Sequence, residues 1–217
     1  GPTAYFDGSL NSEVQNWTLR GFTVAEVNYG GSSGFGREYR ERLNNKWGIL
    51  DSYDCKALVI ELIRLNQVDS SKVAIFGNSA GGLTAINSLC EGDLFKVAIC
   101  KYPVLDLNDM YHKTHRFEKG YLNSLVGEYS KFRNEYDLRS PINKINKLKK
   151  PILLFHGKED EVISYKQTLK IKKELIKNNK HSEVIFFDNE GHGFKNNDNK
   201  QSVILKSQKF LEQTLNI

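Results

Sequence analysis

The feature that most constrains this chain is Gly77-Asn78-Ser79-Ala80-Gly81, set directly after the run Val73-Ala74-Ile75-Phe76. A short, continuous apolar run of this kind is expected of a strand covered on both faces in a parallel sheet. The Gly-x-Ser-x-Gly spacing then forces a sharp turn from that strand into the helical pattern of residues 82–89. Such a turn lifts the Ser79 hydroxyl out of the sheet's end, and small residues at both glycine positions let the backbone turn without a clash.

A serine hydroxyl at its own pKa is a poor nucleophile, so a site built on Ser79 needs a general base and a group to orient it. Asp160 follows the apolar run Ile152-Leu153-Leu154-Phe155, and His192 follows Val184-Ile185-Phe186-Phe187. Each would sit just beyond the carboxyl end of a strand, where one sheet edge gathers residues distant in the chain. Their order, Ser then Asp then His, is that of the α/β-hydrolase triad. Glu159 and Glu161 compete for the acid role, and the spacing after His156-Gly157 favours Asp160. His156 competes with His192 as base, but its place at the very end of an apolar run suits a hydrogen-bonded structural histidine. His181, between Lys180 and Ser182, reads as a surface turn residue.

The rest of the chain repeats the strand and helix rhythm. Residues 22–27 and 97–100 read as further strands, and residues 51–66, 164–179 and 199–215 as helices, with another pattern at Leu10, Val14 and Trp17 ending at Gly21. Asp51-Ser52 offers two good N-cap types for the helix of 51–66, whose row is Tyr53, Ala57, Ile60, Ile63 and Arg64. Glycines in the stretch 28–36 mark a tight loop, because only glycine takes positive φ freely. A phosphate-binding loop is excluded, since this one closes with Gly36-Arg37-Glu38 rather than Gly-Lys-Ser/Thr. Residues 104–150 carry no recognisable strand and are expected to form helices and loops over the sheet's functional end. Alternating strands and helices predict an α/β fold, a mostly parallel sheet flanked by helices, with ligands beyond the carboxyl ends of the strands.

Composition removes several other classes. With 217 residues, 39% hydrophobic and 26% charged, the chain suits one packed domain and lacks the signature of disorder. The formal charge of +5 is local: eleven lysines fall between Lys144 and Lys180. Those from Lys166 on share a stretch with Tyr165, Leu169, Leu175 and Ile176 at helical spacing, which reads as a solvated helix face and not a nucleic-acid surface. Cys55, Cys90 and Cys100 form no CxxC pair or disulfide framework, and His112, His115, His156, His181 and His192 build no metal motif. Neither a metal nor a cofactor is implied. No apolar run approaches the ~20 residues that cross a bilayer, so neither a nucleic acid nor a membrane is expected as a partner.

Beyond the triad motifs, the stretch from Asn28 to Tyr39, then Trp47-Gly48, Asp54 and Tyr102-Pro103-Val104, resembles the catalytic domain of the prolyl oligopeptidase family over nearly the whole chain. The resemblance is to the branch of acylaminoacyl-peptidases and related oligopeptidases. It implies Ser79 as nucleophile, Asp160 as orienting carboxylate, His192 as base and later acid, and the Ala80 N–H as one oxyanion donor. A second donor would lie just upstream of Gly1-Pro2, and losing one such donor costs ~3–4 kcal/mol of transition-state stabilisation. By position, Val104 and Val162 would line the pocket for the side chain before the cut bond. Leu107 and Met110 stand where proline-specific relatives place rings, which points to a generally apolar pocket.

The expected activity is hydrolysis of peptide or acyl-amino-acid bonds of small peptides through an acyl-enzyme. A carboxylesterase or thioesterase of the same fold is the enzymatic rival, and a non-catalytic binding module the rival from another class. The chain opens at Gly1 and its only Met is Met110, so residues 1–217 are expected to be a piece of a longer protein or a processed form, and the resemblance implies a C-terminal α/β-hydrolase domain. That chain would lack the first strands of the sheet and melt poorly in isolation, because unpaired strand edges invite aggregation. The resemblance implies an N-terminal β-propeller in the longer protein and leaves room for a homo-oligomer. Cysteine usage leans toward a cytoplasmic location.

Overall fold

The computed structural model describes the backbone of residues 1–113 and 116–217. His115 lies outside them. In chain order the elements are α1 (Ser12–Thr18), α2 (Gly36–Glu41), α3 (Leu50–Arg64), β1 (Ala74–Asn78), α4 (Ala80–Cys90), β2 (Val97–Lys101), α5 (Leu107–Lys113), α6 (Arg116–Val126) and α7 (Tyr129–Arg139). Two short 3₁₀ turns at Pro141–Asn143 and Ile145–Lys147 lead into β3 (Ile152–Gly157), α8 (Tyr165–Asn178), β4 (Glu183–Phe187) and α9 (Asn197–Leu215).

The four strands form one parallel sheet in the order β1-β2-β3-β4. Alternation along the strands splits their side chains between two cores. Ala98, Cys100, Ile152 and Leu154 pack with Ile86 and Leu89 of α4 and Ile171 and Leu175 of α8. Val97, Ile99, Leu153 and Phe155 pack with Trp17 of α1 and Val203, Phe210 and Leu211 of α9. A third core joins Ala80 and Leu83 of α4 to Leu107, Leu122, Leu125 and Tyr136 of α5 to α7, so the segment after β2 forms a helical cap. This is the α/β-hydrolase architecture, with helices on both faces of the sheet and a helical insertion on one side.

Four expectations are corrected. Residues 22–27 carry no strand, because a strand exists only with a hydrogen-bonding neighbour and none among the described residues pairs there. α3 begins one residue before Asp51, so Asp51 and Ser52 lie in the first turn rather than at the cap. Asp51 is buried, accepting the Gly48 N–H at 2.6 Å and the Thr84 hydroxyl. The packed side of α3 carries Cys55 and Val59, whereas Tyr53 and Ile60 face outward. On α8 the buried residues are Gln167, Thr168, Ile171 and Leu175, and Leu169 and Ile176 are exposed. On α8 Leu175 of the expected row is buried and the rest of the buried face is shifted, since hydrogen-bonded polar residues such as Thr168 and Gln167 fit a helix contact as well as apolar ones do.

Candidate active site

Between β1 and α4 the chain reverses at Ser79, whose φ of 52° and ψ of −118° are a strained pair for a residue with a side chain. Neighbouring segments hold the strain. The Ser79 N–H donates to Lys101 O at 3.0 Å, and Ser79 O accepts from Val104 N at 3.1 Å. Gly77 is required, because a Cβ there would meet Gly81 O at 2.0 Å. A Cβ on Gly81 would meet nothing, so the expected need for small residues at both positions holds for Gly77 alone. Ala80 opens α4, so its N–H has no acceptor within the helix and stands beside the Ser79 hydroxyl's carbon, at the positive end of the helix dipole.

Two further loops meet this turn. Asp160 follows β3 and His192 follows β4, adjacent parallel strands in which Gly157 pairs with Phe187. The loops are stitched by backbone bonds from Lys158 N to Phe187 O at 2.8 Å and from Glu159 N to Glu190 O at 3.0 Å. Gly157 permits that approach, since a Cβ would lie 2.1 Å from Glu190 O. The buried Glu190 carboxylate accepts from Lys195 N, Asn196 N and Asn199 Nδ2, at 2.8, 3.0 and 2.9 Å, and so ties the loop bearing His192 to the start of α9.

The three candidate residues come together in one line. His192 Nε2 is 3.0 Å from Ser79 Oγ, and His192 Nδ1 is 2.9 Å from Asp160 Oδ2. The carboxylate can only accept from Nδ1–H, which leaves Nε2 to accept the serine hydroxyl proton. Asp160 Oδ1 accepts from Val162 N at 2.9 Å and Ile163 N at 2.8 Å. Burial opposes the charge of Asp160, and the hydrogen bonds from His156, His192 and the Ile163 N–H overcome it, holding this acid well below the usual carboxylate range. The arrangement can therefore pass a proton from a hydroxyl to an imidazole whose cation the carboxylate stabilises. Glu159 and Glu161 are exposed and do not join it, and His181 sits at a surface turn.

The two pocket candidates differ. Val162 is 67% exposed beside Asp160, whereas Val104 is 1% exposed and packs in the cap core with Ala80, Leu83 and Leu107. Val104 thus supports the turn from beneath and offers almost no surface to a ligand. Glu190 and the contact of Tyr102 with His192 went unread in the sequence, and His156, expected as a hydrogen-bonded structural histidine, is one, with Asp160 as an unexpected neighbour. The Tyr102 ring lies 4.6 Å from the His192 ring and meets Phe194 edge-on, on a backbone with φ of 40°. Glu190 anchors the loop of His192, and His156 contacts Asp160 at 3.3 Å. Tyr102 stood within a motif already singled out, but no local spacing signals a contact between loops.

Residues 8–217 match the prolyl oligopeptidase family. Dipeptidyl aminopeptidase BIII of Pseudoxanthomonas mexicana is 26% identical over 218 residues, which cover 98% of this chain and 31% of that protein. The acylamino-acid-releasing enzyme of Rattus norvegicus is 28% identical over 200 residues, covering 85% of this chain and 27% of its own. Among solved structures, that of puromycin hydrolase superposes with a TM-score of 0.94 at 34% identity, over 100% of this chain and 33% of that one. A puromycin-hydrolyzing peptidase of Mycobacterium tuberculosis gives 0.89 at 34% identity, over 99% of this chain and 33% of its own. The chain spans about a third of the length of these relatives.

Proposed function

The chain belongs to the prolyl oligopeptidase family, and from that premise we propose that it is the catalytic part of a serine peptidase acting on peptide or acyl-amino-acid bonds of small peptides. The observation that carries this reading is the unbroken line from Ser79 through His192 to Asp160, at 3.0 and 2.9 Å, on a strained strand-to-helix turn. Ser79 Oγ attacks the carbonyl carbon while its proton passes to His192 Nε2, and Asp160 holds Nδ1–H and stabilises the imidazolium. The Ala80 N–H faces the oxygen on which negative charge develops. His192 then protonates the leaving amine and the C–N bond breaks. Water, losing its proton to the same nitrogen, attacks the acyl-enzyme and releases the acid with Ser79 restored.

Val162 is the exposed apolar residue beside this centre and is assigned to the pocket for the side chain preceding the cut bond; Val104 acts there only by packing behind it, without touching the substrate. No cofactor enters any of these steps. A β-propeller preceding this chain and a homo-oligomer of the longer protein belong to the same proposal, on the family resemblance. So does a cytoplasmic location, with which the three free thiols accord. Among the described residues no helix is long and apolar enough to cross a membrane.

The test compares N-acylated and free-amine peptide anilides with short-chain nitrophenyl esters, using the intact protein and its Ser79→Ala variant. Serine-dependent cleavage of the anilides is expected, and the preferred amino terminus separates acylaminoacyl-peptidase from dipeptidyl-peptidase behaviour. Turnover of esters alone would replace this reading by an esterase, and no Ser79-dependent turnover of either would leave a binding module.

A further inference from the structure

The carboxylate of Asp160 has a histidine on each side, and the peptidase reading uses only one of them. His156, the penultimate residue of β3, is fully buried. Its Nδ1 is 2.8 Å from Thr168 Oγ1 on α8, and its Nε2 is 2.9 Å from Ile163 O and 3.3 Å from Asp160 Oδ2. A carbonyl and an ionised carboxylate can only accept, so the proton sits on Nε2 and Nδ1 accepts the Thr168 hydroxyl proton. The N–H is directed at Ile163 O and lies alongside Asp160 Oδ2, so its positive end faces the carboxylate as the weaker branch of a shared bond. The same peptide segment closes the ring, because the Ile163 N–H donates back to Asp160 Oδ1 at 2.8 Å.

Resting on the peptidase reading, we propose that His156 is a positioning residue for the reaction: with its tautomer fixed by Thr168, it aims the Asp160 carboxylate at His192 and spreads that carboxylate's charge, thereby setting the basicity of His192. A fully buried histidine that merely filled the space would have no need to face the one carboxylate of the triad. The other groups facing Asp160 are His192 itself, from the loop after β4, and Tyr102, from the end of β2, whose phenol is kept protonated by burial and by the charges of Glu13 and Asp160. From α8, Thr168 contacts His156 and does not titrate in the working range. Without the His156 dipole the charge on Asp160 is more concentrated and holds a cationic His192 more tightly. His192 is then harder to deprotonate, and the acid-side limb of kcat/KM against pH moves upward.

The experiment measures kcat, KM and their pH profiles, with thermal melts, for His156→Leu, His156→Gln and Thr168→Val in the intact protein. The rate of Ser79 phosphonylation by a fluorophosphonate is recorded in parallel. His156→Leu is expected to lower kcat by about 10–100-fold at nearly unchanged KM, the effect of holding the base less precisely. Its acid limb should move up by about half a pH unit or more. His156→Gln, whose amide N–H reaches the same acceptors, should restore much of both. Thr168→Val is nearly isosteric and keeps the fold if His156→Leu does not; it should shift the limb the same way by a smaller amount. Lower melting temperatures with kcat, phosphonylation rate and acid limb unchanged would reduce His156 to a structural residue and overturn the proposal alone. An unsubstituted protein that neither cleaves anilides nor reacts with the fluorophosphonate would overturn the peptidase reading beneath it.

Discussion

The carboxyl end of the sheet and its lateral flank beside β1 differ in how they are finished. At the carboxyl ends of β1, β3 and β4, every turn is held by backbone bonds between loops, and β3 is buried along its whole length. Across the outer flank, next to β1, Leu10 and Leu19 on either side of α1 and Tyr53 and Ile60 of α3 face solvent, with Tyr53 at 63% and Ile60 at 58% exposure, and Phe76 of β1 is 42% exposed. The triad geometry therefore depends on short connections among three strands, and the apolar flank lies outside that set. Precision at a site comes from backbone bonds whose partners are fixed by strand register, while apolar surface on a helix only requires some cover.

The sharpest way to break this contrast is chemical. Ser79→Ala should lower kcat by about 10⁴–10⁶-fold with little change in the near-neutral melt, and Asp160→Asn should lower kcat by about 10⁴-fold and also lower the near-neutral melt, read by anilide hydrolysis and thermal unfolding. Asp160 also sets an acid dependence. Its folded pKa is depressed, so its contribution to stability is present above the unfolded value of about 4 and lost as pH falls below it. Melts of Asp160→Asn should accordingly show a shallower loss of stability with acid than the unsubstituted protein does.

A steric pair comes next. Gly77→Ala drives a Cβ into Gly81 O and should destabilise by more than about 3 kcal/mol or abolish folding. Gly81→Ala meets open space within a helix and should leave the unfolding free energy from denaturant titration level or raise it by up to about 1 kcal/mol. If both substitutions cost alike, the turn is not braced where the structure braces it. Glu190→Ala frees three donors that hold the loop of His192 and should lower kcat/KM by about 10–100-fold, since small displacements of a base cost that much. Ile60→Ser on the outer flank should change the catalytic constants by no more than about twofold. A larger loss there would mean that the flank and the site are coupled.

Much of this was legible beforehand because the signals are local. Four of the five predicted strands lie within a residue or two of β1 to β4, since continuous apolar runs bounded by turns leave few alternatives. Residues 22–27 read equally well and form no strand, because pairing is a property of the neighbour and not of the segment. α3 and α8 form as expected, but only Leu175 of the apolar row expected on α8 is interior, because Ser52, Thr168 and Gln167 are polar by type and interior by position. Val104 was assigned to a pocket from its place after Tyr102-Pro103, and its burial follows from α4, α5 and α7 closing over it. Glu190, Tyr102 and His156 acquire their roles only through contacts between loops or across a loop.

The amino-acid sequence by itself determined the class of fold, the serine on its turn and the order of acid and base, because each follows from residue type, spacing and the strand just before it. Tertiary structure decided the rest: that His192 reaches both Ser79 and Asp160, that Asp160 has a second histidine beside it, and that Gly77 rather than Gly81 makes the turn possible. Those depend on the register of parallel strands whose residues are distant in the chain, and a distance between such residues is set by packing and hydrogen bonding that no local pattern encodes.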